Sequence, residues 1–398
     1  MANYIPLVIQ IKILCRLPAK SLIRFRSVSK DWKSLIDSSN FNSDFIVHQA
    51  RRKRLLLWSD YTHNDCIVDV DDSIPQQKIS LSHPLSFNRF YCRLRKRKQM
   101  KFVGCSYGLL CYAGRYLSSE DDDYFNCYVI WNPTIRKSVV INALYNKRIY
   151  VGFGVCPNTL DPKIVRINII HVSRDDVQYD DNKDKVWRVE VFTLRGRVWR
   201  SPLTKLPRKW LKIDLYRKGT GYKTPLVING FIYWCAYSNS TNMVVFFDLG
   251  SEEFAKVQVP SYLYNTFDIF KLRNSLGVVG IDREEVHNVC LLDHVSKSFI
   301  KLYTFTLPKM WSWSKILGFR DDEQLIIIKR DNDAHGSEFV AYDPNLKHFN
   351  GLKNDVSCFT FTSYSESLLL LDQSGTLDDD DDDEGDVAHT TRFLDHQR

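Results

Sequence analysis

One unit recurs along this chain at a spacing that few folds can accommodate. Two or more apolar residues lead into a turn residue, a few polar residues follow, and a bulky apolar residue closes the unit. It reads VIWNPTIRKSVV, EVFTLRGRVW, VFFDLGSEEF, CLLDHVSKSF and VAYDPNLKHF. The turn residues are Asn132, Thr193, Asp248, Asp293 and Asp343, so successive units lie 61, 55, 45 and 50 residues apart. From Leu55 onward the chain is short apolar or alternating runs (LLLW, CIVDV, YVIW, FIYWCAY, LIIIK) broken by Gly, Pro, Asn and Asp, without a long helical period. A repeat near ~40–50 residues per four-stranded sheet is the spacing of a β-propeller, whose blades cover only one another and so must close into a ring. Six blades are favoured over seven. Only 29 residues separate Asp343 from Asp372, too few for another blade. The last blade is therefore expected to join the SLLLLD segment, 367–372, to strands from 55–70, closing the propeller with N- and C-terminal strands. A pair of packed sheets in a sandwich is the alternative.

Ahead of the strands, residues 6–36 read PLVIQIKILCRLPAKSLIRFRSVSKDWKSLI, with helical patterning. Pro6 can open a first helix and Pro18 a second, after a turn at Arg16-Leu17, while Ser29 is placed to cap a third. The third carries Val28, Trp32, Leu35 and Ile36 at i, i+4, i+7 and i+8, with Trp32 expected as its largest buried group. The first helix differs: from Leu7 to Leu17 only Gln10, Lys12 and Arg16 are polar. Such a helix must be covered all round, and three short helices bury too little to do it alone. Another surface, from this chain or a separate protein, has to cover Leu7, Ile9, Ile13 and Leu14. Residues 38–50 read as a turn and one more short helix, leading into the basic run RRKR at 51–54.

Ile5-Pro6 followed by ILCRLPAKSLIRFRSVSKDW (13–32) resembles the F-box of plant-type F-box proteins, whose usual form is LP, a helix, RLPVKSLLRFRCVSKSW and a short closing helix. Three positions depart: Ile5 replaces the usual Leu, and Val8 and Lys12 replace acidic residues of the first helix. The resemblance implies docking on a Skp-type adaptor, and through it a cullin–RING ubiquitin ligase, by Ile5, Pro6, Leu7, Ile9, Ile13, Leu14, Leu17, Pro18, Ser21, Leu22, Phe25, Val28 and Trp32. Further on, CSYGLLCYAG is similar to the SCNGLLCL element of F-box-associated domains, WNPTIRKSVVI to their NPTTRK element, and VGFGVCPNTLDPKIVRI to GFGYDPxTxDYKVVRI. Val155-Cys156 stands where Tyr-Asp is usual. The resemblance implies a small all-α F-box head at 1–45, a basic linker at 46–54, an F-box-associated, kelch-like propeller at 55–371 and an acidic tail at 372–398. The function it implies is that of a non-catalytic substrate receptor of an SCF-type ligase, holding an unknown target protein for ubiquitination.

Composition bears on the alternatives. Net charge is +8, but residues 372–398 carry ten acids against two arginines, leaving +16 on the rest. A basic body with an acidic tail suits a polyanion binder. The basic clusters at 51–54 and 93–101, however, lie beside expected junctions, where solvated loops explain them, and nucleic acid is not the expected partner. The tail is low in complexity and expected to lack fixed structure. The ten cysteines form no CxxC and no zinc spacing with His, which points to buried free thiols in a reducing compartment, cytoplasmic or nuclear. No window approaches the ~18–20 apolar residues of a membrane helix, and no signal peptide is expected. Gly152-Phe153-Gly154 is a lone GxG with Pro157 at the third glycine position, and GxxxxGK[ST], GxSxG and HExxH are absent. His287, His294 and His335 read as turn residues. No cofactor, metal or catalytic residue is expected. A stand-alone propeller enzyme, or a polyanion binder with an N-terminal helical cap, is the other reading. Candidate target-binding loops are 118–125, 173–185, 238–242 and 330–336.

Overall fold

The computed structural model describes residues 5–50, 54–58, 66–69, 78–81, 100–117, 124–144, 149–171, 185–202, 212–213, 216–217, 221–222, 224–238, 241–272, 274–309, 311–319, 323–331, 338–352 and 360–370. Among the described residues four helices precede seven antiparallel sheets: six blades, five in chain order and one joining the two ends of the strand sequence, and a two-stranded ribbon of Tyr216–Arg217 and Gly221–Tyr222, giving a helical head and a six-bladed β-propeller. Two compact units divide the chain, Met1–Tyr145 with Phe361–Thr390, and Asn146–Thr360 with Thr391–Arg398.

The first unit opens with α1 (Leu7–Leu14), α2 (Ala19–Phe25), α3 (Lys30–Asp37) and α4 (Ser39–Gln49). Pro6 and Pro18 stand just before α1 and α2, where a missing N–H costs nothing. Ser29 and Ser38 cap α3 and α4, each hydroxyl accepting from the backbone N–H three residues on. Leu14, Cys15, Ala19, Leu22, Ile36, Phe41 and Phe45 form the head's core. Ile36, not Trp32, is the buried residue of α3. Trp32 is half-buried, edge-on to Phe25 with centroids 5.1 Å apart. α4 runs past the boundary expected at 45 because Ile46 and Gln49 are buried. Gln49 Nε2 donates to the Cys15 and Leu17 carbonyls at the end of α1, so 46–49 is helix and not linker.

Two blades complete this unit. The first blade orders Thr360–Tyr364, Arg54–Trp58, Cys66–Asp69 and Lys78–Ser80. The second orders Lys101–Ser106, Leu109–Leu117, Tyr124–Asn132 and Lys137–Leu144. Cys105 and Cys111 lie on the two arms of a hairpin. The first blade joins N- and C-terminal strands as expected, but through Thr360–Tyr364 instead of SLLLLD. That segment cannot run as a strand: Leu368 is taken into the head's core, Leu370 has φ 76°, and the Ser367 and Leu369 carbonyls accept from Asn132 Nδ2 at 3.0 and 2.9 Å.

The second unit holds the other four. The third blade is Ile149–Val155, Pro162–His171, Lys185–Thr193 and Val198–Arg200. The fourth is Leu226–Ile228, Phe231–Ser238, Thr241–Asp248 and Phe254–Gln258, with Lys212–Ile213 added beside Phe231–Ser238. The fifth is Tyr264–Leu272, Ser275–Ile281, His287–Asp293 and Ser298–Phe305, and the sixth is Trp311–Phe319, Leu325–Asp331, Glu338–Asp343 and His348–Leu352. Neighbouring blades share apolar clusters, as where Val165, Ile167, Val189 and Val191 meet Ile232, Trp234, Val245 and Phe247. Gly152 and Gly154 lie where a Cβ would strike Trp234 and Leu249, so the lone GxG serves close packing of blades.

The recurring unit of the sequence is the hairpin between the third and fourth strands of the second to sixth blades. Its fifth residue is left-handed in all five cases: Arg136, Arg197, Glu252, Lys297 and Lys347 have φ between 51° and 61°. Asn132, Asp248, Asp293 and Asp343 each accept from the backbone N–H two residues on, which is why Asn or Asp opens the turn. His294 is a turn residue as read, and His335 lies outside the described residues. His287 instead begins a strand and is buried, its ring stacked on Phe305 at 4.9 Å. The eight described cysteines are all free, seven of them buried. Among the described residues no helix is long and apolar enough to cross a membrane.

Candidate functional site

α1 sets one face into the head and leaves the rest bare. Ile5, Leu7, Ile9 and Ile13 are 47–52 % exposed and Val8 63 %, while Leu14 is buried. Full burial of one aliphatic side chain is worth about 1.5–3 kcal/mol, so half-exposed ones leave roughly 1 kcal/mol each. Five give about 5 kcal/mol gross, short of the ~8 kcal/mol of a micromolar complex. A partner must therefore also use other exposed groups, such as Pro18 and Val28, the latter 67 % exposed. The rim is basic: Lys12, Arg16, Lys20 and Arg24 are exposed, and Asp37, one of three acids in 5–50, is held by Arg26 across two hydrogen bonds. The surface suits an apolar, acidic partner.

Behind this face the head is fastened to the blades of its own unit by the segment 365–370. Glu366 Oε2 accepts from the Ala19 N–H at 3.0 Å, and Glu366 Oε1 from Arg54 Nη1 at 2.6 Å. Pro18 has no side-chain acceptor to cap α2, so a carboxylate 347 residues away satisfies that N–H and meets the helix's positive end. Leu368 packs among Leu14, Leu22, Ile36 and Phe45, with Ile135 of the second blade at the edge. Asn132 is fully buried, clamping the segment with its amide while its Oδ1 builds the turn. Tyr364 and Thr134 share a hydroxyl hydrogen bond of 2.7 Å. Gly108, at φ 74°, sits where a Cβ would overlap the Ser365 carbonyl. Two of the motifs carrying the family resemblance, CSYGLLC and WNPTIRK, thus converge on this segment.

Of the thirteen adaptor residues expected, Ile5, Pro6, Leu7, Ile9, Ile13, Pro18 and Val28 are exposed. Leu17, Ser21, Phe25 and Trp32 are half-buried. Leu14 and Leu22 are core residues, 3 % and 0 % exposed, so they support the surface without forming it. Val8, outside those thirteen, is exposed beside them, as a helix apolar on nearly every side implies. The candidate target loops fall mostly on 118–123, 172–184, 239–240 and 332–337, outside the described residues, as does 371–398. Among the described residues no three His, Cys, Asp or Glu side chains converge as metal ligands.

A family described as the F-box associated beta propeller domain matches residues 65–361, and the F-box domain matches residues 4–44. F-box only protein 8 of Arabidopsis thaliana is 27 % identical over 292 residues, covering 70 % of this chain and 87 % of that protein. F-box protein At4g19940 of the same plant is 29 % identical over 292 residues, covering 72 % and 67 %. Among solved structures, the β-propeller domain of the Trilobed protease from Pyrococcus furiosus aligns at 12 % identity and a TM-score of 0.39 over 65 % of this chain and 72 % of that one. A likeness so low carries no argument.

Proposed function

Since this chain belongs to the F-box proteins that carry an F-box-associated β-propeller domain, we propose that it is a substrate receptor of an SCF-type cullin–RING ubiquitin ligase. The head docks on a Skp-type adaptor and the propeller holds a target protein. The chain performs no chemistry itself. It raises the target's effective concentration beside the ubiquitin-carrying enzyme, turning a rare encounter into a near-intramolecular one. The observation that carries this reading is the bare apolar face of α1 on a head whose own core is already complete. Free buried thiols agree with a reducing cytoplasmic or nuclear setting.

The test is co-elution of the purified full chain with an adaptor–cullin complex on size exclusion. Ile9→Asp/Ile13→Asp should abolish the complex without lowering the melting temperature, because both side chains are outside the core. Leu17→Asp is a poorer probe, since Leu17 packs against the head's core. Wild-type protein eluting alone would withdraw the reading.

A further inference from the structure

The fourth strand of a blade is an edge, and edges in native proteins are usually short, charged or bent to prevent unwanted pairing. The fourth blade follows this: Phe254–Gln258 exposes Ala255, Lys256 and Gln258. The sixth does too, with His348, Asn350 and Gly351 exposed on His348–Leu352. The fifth does not. Its edge, Ser298–Phe305, is eight residues long and leaves Ile300 and Leu302 54 % and 45 % exposed. It pairs with His287–Asp293 on one side, and no described strand covers the other.

The patch has a defined chemistry. A register shift leaves Leu302 without a cross-strand partner between Lys301, opposite Cys290, and Tyr303, opposite Val289, so Ile300, Lys301 and Leu302 are exposed in succession. Lys301 Nζ is held 4.5 Å from the ring centroid of Tyr262, whose hydroxyl bonds Cys290 Sγ at 3.2 Å. The cation is thus fixed in place, beside two aliphatic side chains. Lys297 and the 92 % exposed Val295 continue the pattern in the preceding turn. Asp293 accepts from the Val295 and Ser296 N–H groups; Asp282 accepts from the Glu284 and Val286 N–H groups and the Asn288 amide, and that amide first, with the Lys301 charge as a lesser influence, holds its carboxyl below the ordinary value.

We propose that Ser298–Phe305 is a docking edge for an extended segment of the target protein, added as a further strand, with a carboxylate set against Lys301 and apolar residues against Ile300 and Leu302. Main-chain hydrogen bonds supply the attachment and the alternating side chains the selectivity. A second copy of this chain fits less well, because antiparallel self-pairing about Lys301 sets like charges opposite each other. That the occupant is a ubiquitination target rests on the substrate-receptor reading; the edge itself does not.

The probe is a fluorescein-labelled peptide, Thr-Val-Glu-Val-Glu-Val-Thr, titrated against the full chain by anisotropy without adaptor. Failure here leaves the adaptor reading standing, and failure of the adaptor experiment leaves this one interpretable. Micromolar binding is expected, weakened about tenfold by Lys301→Glu and lost when alternate peptide nitrogens are methylated. Lys301→Glu should in exchange gain affinity for the same peptide with Lys in place of Glu. Both positions are exposed, so melting temperatures of Lys301→Glu and Leu302→Lys should match wild type, separating lost docking from lost folding. Equal binding of the Glu and Lys peptides to wild type, or indifference to Lys301→Glu, would overturn the proposal. So would a wild-type dimer in sedimentation that Leu302→Lys dissolves, since the edge would then belong to a second copy.

Discussion

Between the third and fourth blades contact is made by whole sheet faces, with Val165, Ile167, Val189 and Val191 laid against Ile232, Trp234, Val245 and Phe247. Between the head and the blades of its own unit, much of the contact runs through one short segment. There a single leucine, a single carboxylate and a single buried amide act together. A broad apolar face loses a little of its area to any one substitution, whereas a seam built from few groups fails when one is removed. The polar share differs as well. Lys163, Arg200 and Glu252 form the charged edge of the blade seam, while at the head the charged pair stands at the centre of the attachment.

The sharpest way to break this comparison is Leu368→Asp. An unpaired carboxylate in the head's core should cost about 3–5 kcal/mol in urea denaturation, with amide protection lost across the helices first. A loss below about 1 kcal/mol would mean the head holds without the segment. Gly108→Ala comes next. It strains a left-handed position and pushes on the Ser365 carbonyl, for an expected loss of about 2–3 kcal/mol by the same measurement. Smaller again is the Arg54–Glu366 pair, part-buried at both ends. Alanine at either position should cost about 1–2 kcal/mol, and a double-mutant cycle should return a coupling near 1 kcal/mol. Additive single losses would show that Glu366 acts only through Ala19.

The smallest effect is expected at the blade seam and depends on pH. Burial alone would raise the Glu252 carboxyl, but hydrogen bonds from Arg200 and Lys163 outweigh it and hold the group below its ordinary value. A carboxyl lowered on folding adds stability that is present above its unfolded pKa and lost as pH falls through the folded one. Thermal melts from about pH 5 down to about pH 3 should therefore fall more steeply for wild type than for Glu252→Gln. Parallel slopes would remove the charged cluster from the account of this seam.

The repeat was legible because turn chemistry is local: an Asn or Asp that accepts from the backbone N–H two residues on, followed by a left-handed residue at fixed offset, recurs in four of the blades. The head's helices were legible for the same reason, since Pro6, Pro18 and Ser29 act within a turn of where they stand. What escaped were pairings across long stretches of chain. Nothing near Ala19 announces Glu366, and four consecutive leucines read as a strand until Leu368 is seen inside the head. A motif names positions without saying which point inward. Leu14 and Leu22 belong to the motif and to the core, while Val8 departs from it and is bare.

The dependence of the head on Leu368 and Glu366 also sets a clock on its maturation. Ala19 leaves the ribosome 347 residues before its partner Glu366, and at ~5–20 residues per second that interval is roughly 20–70 s. During it the helices exist without the groups that cap α2 and finish their core. A chain cut short anywhere before 366, by premature termination or proteolysis, carries every residue of the head's outer face but lacks the Glu366 that caps α2 and the Leu368 of its core. The segment 365–370 thus completes helices translated far earlier, and the loss on Leu368→Asp measures how far presentation of that face waits for it.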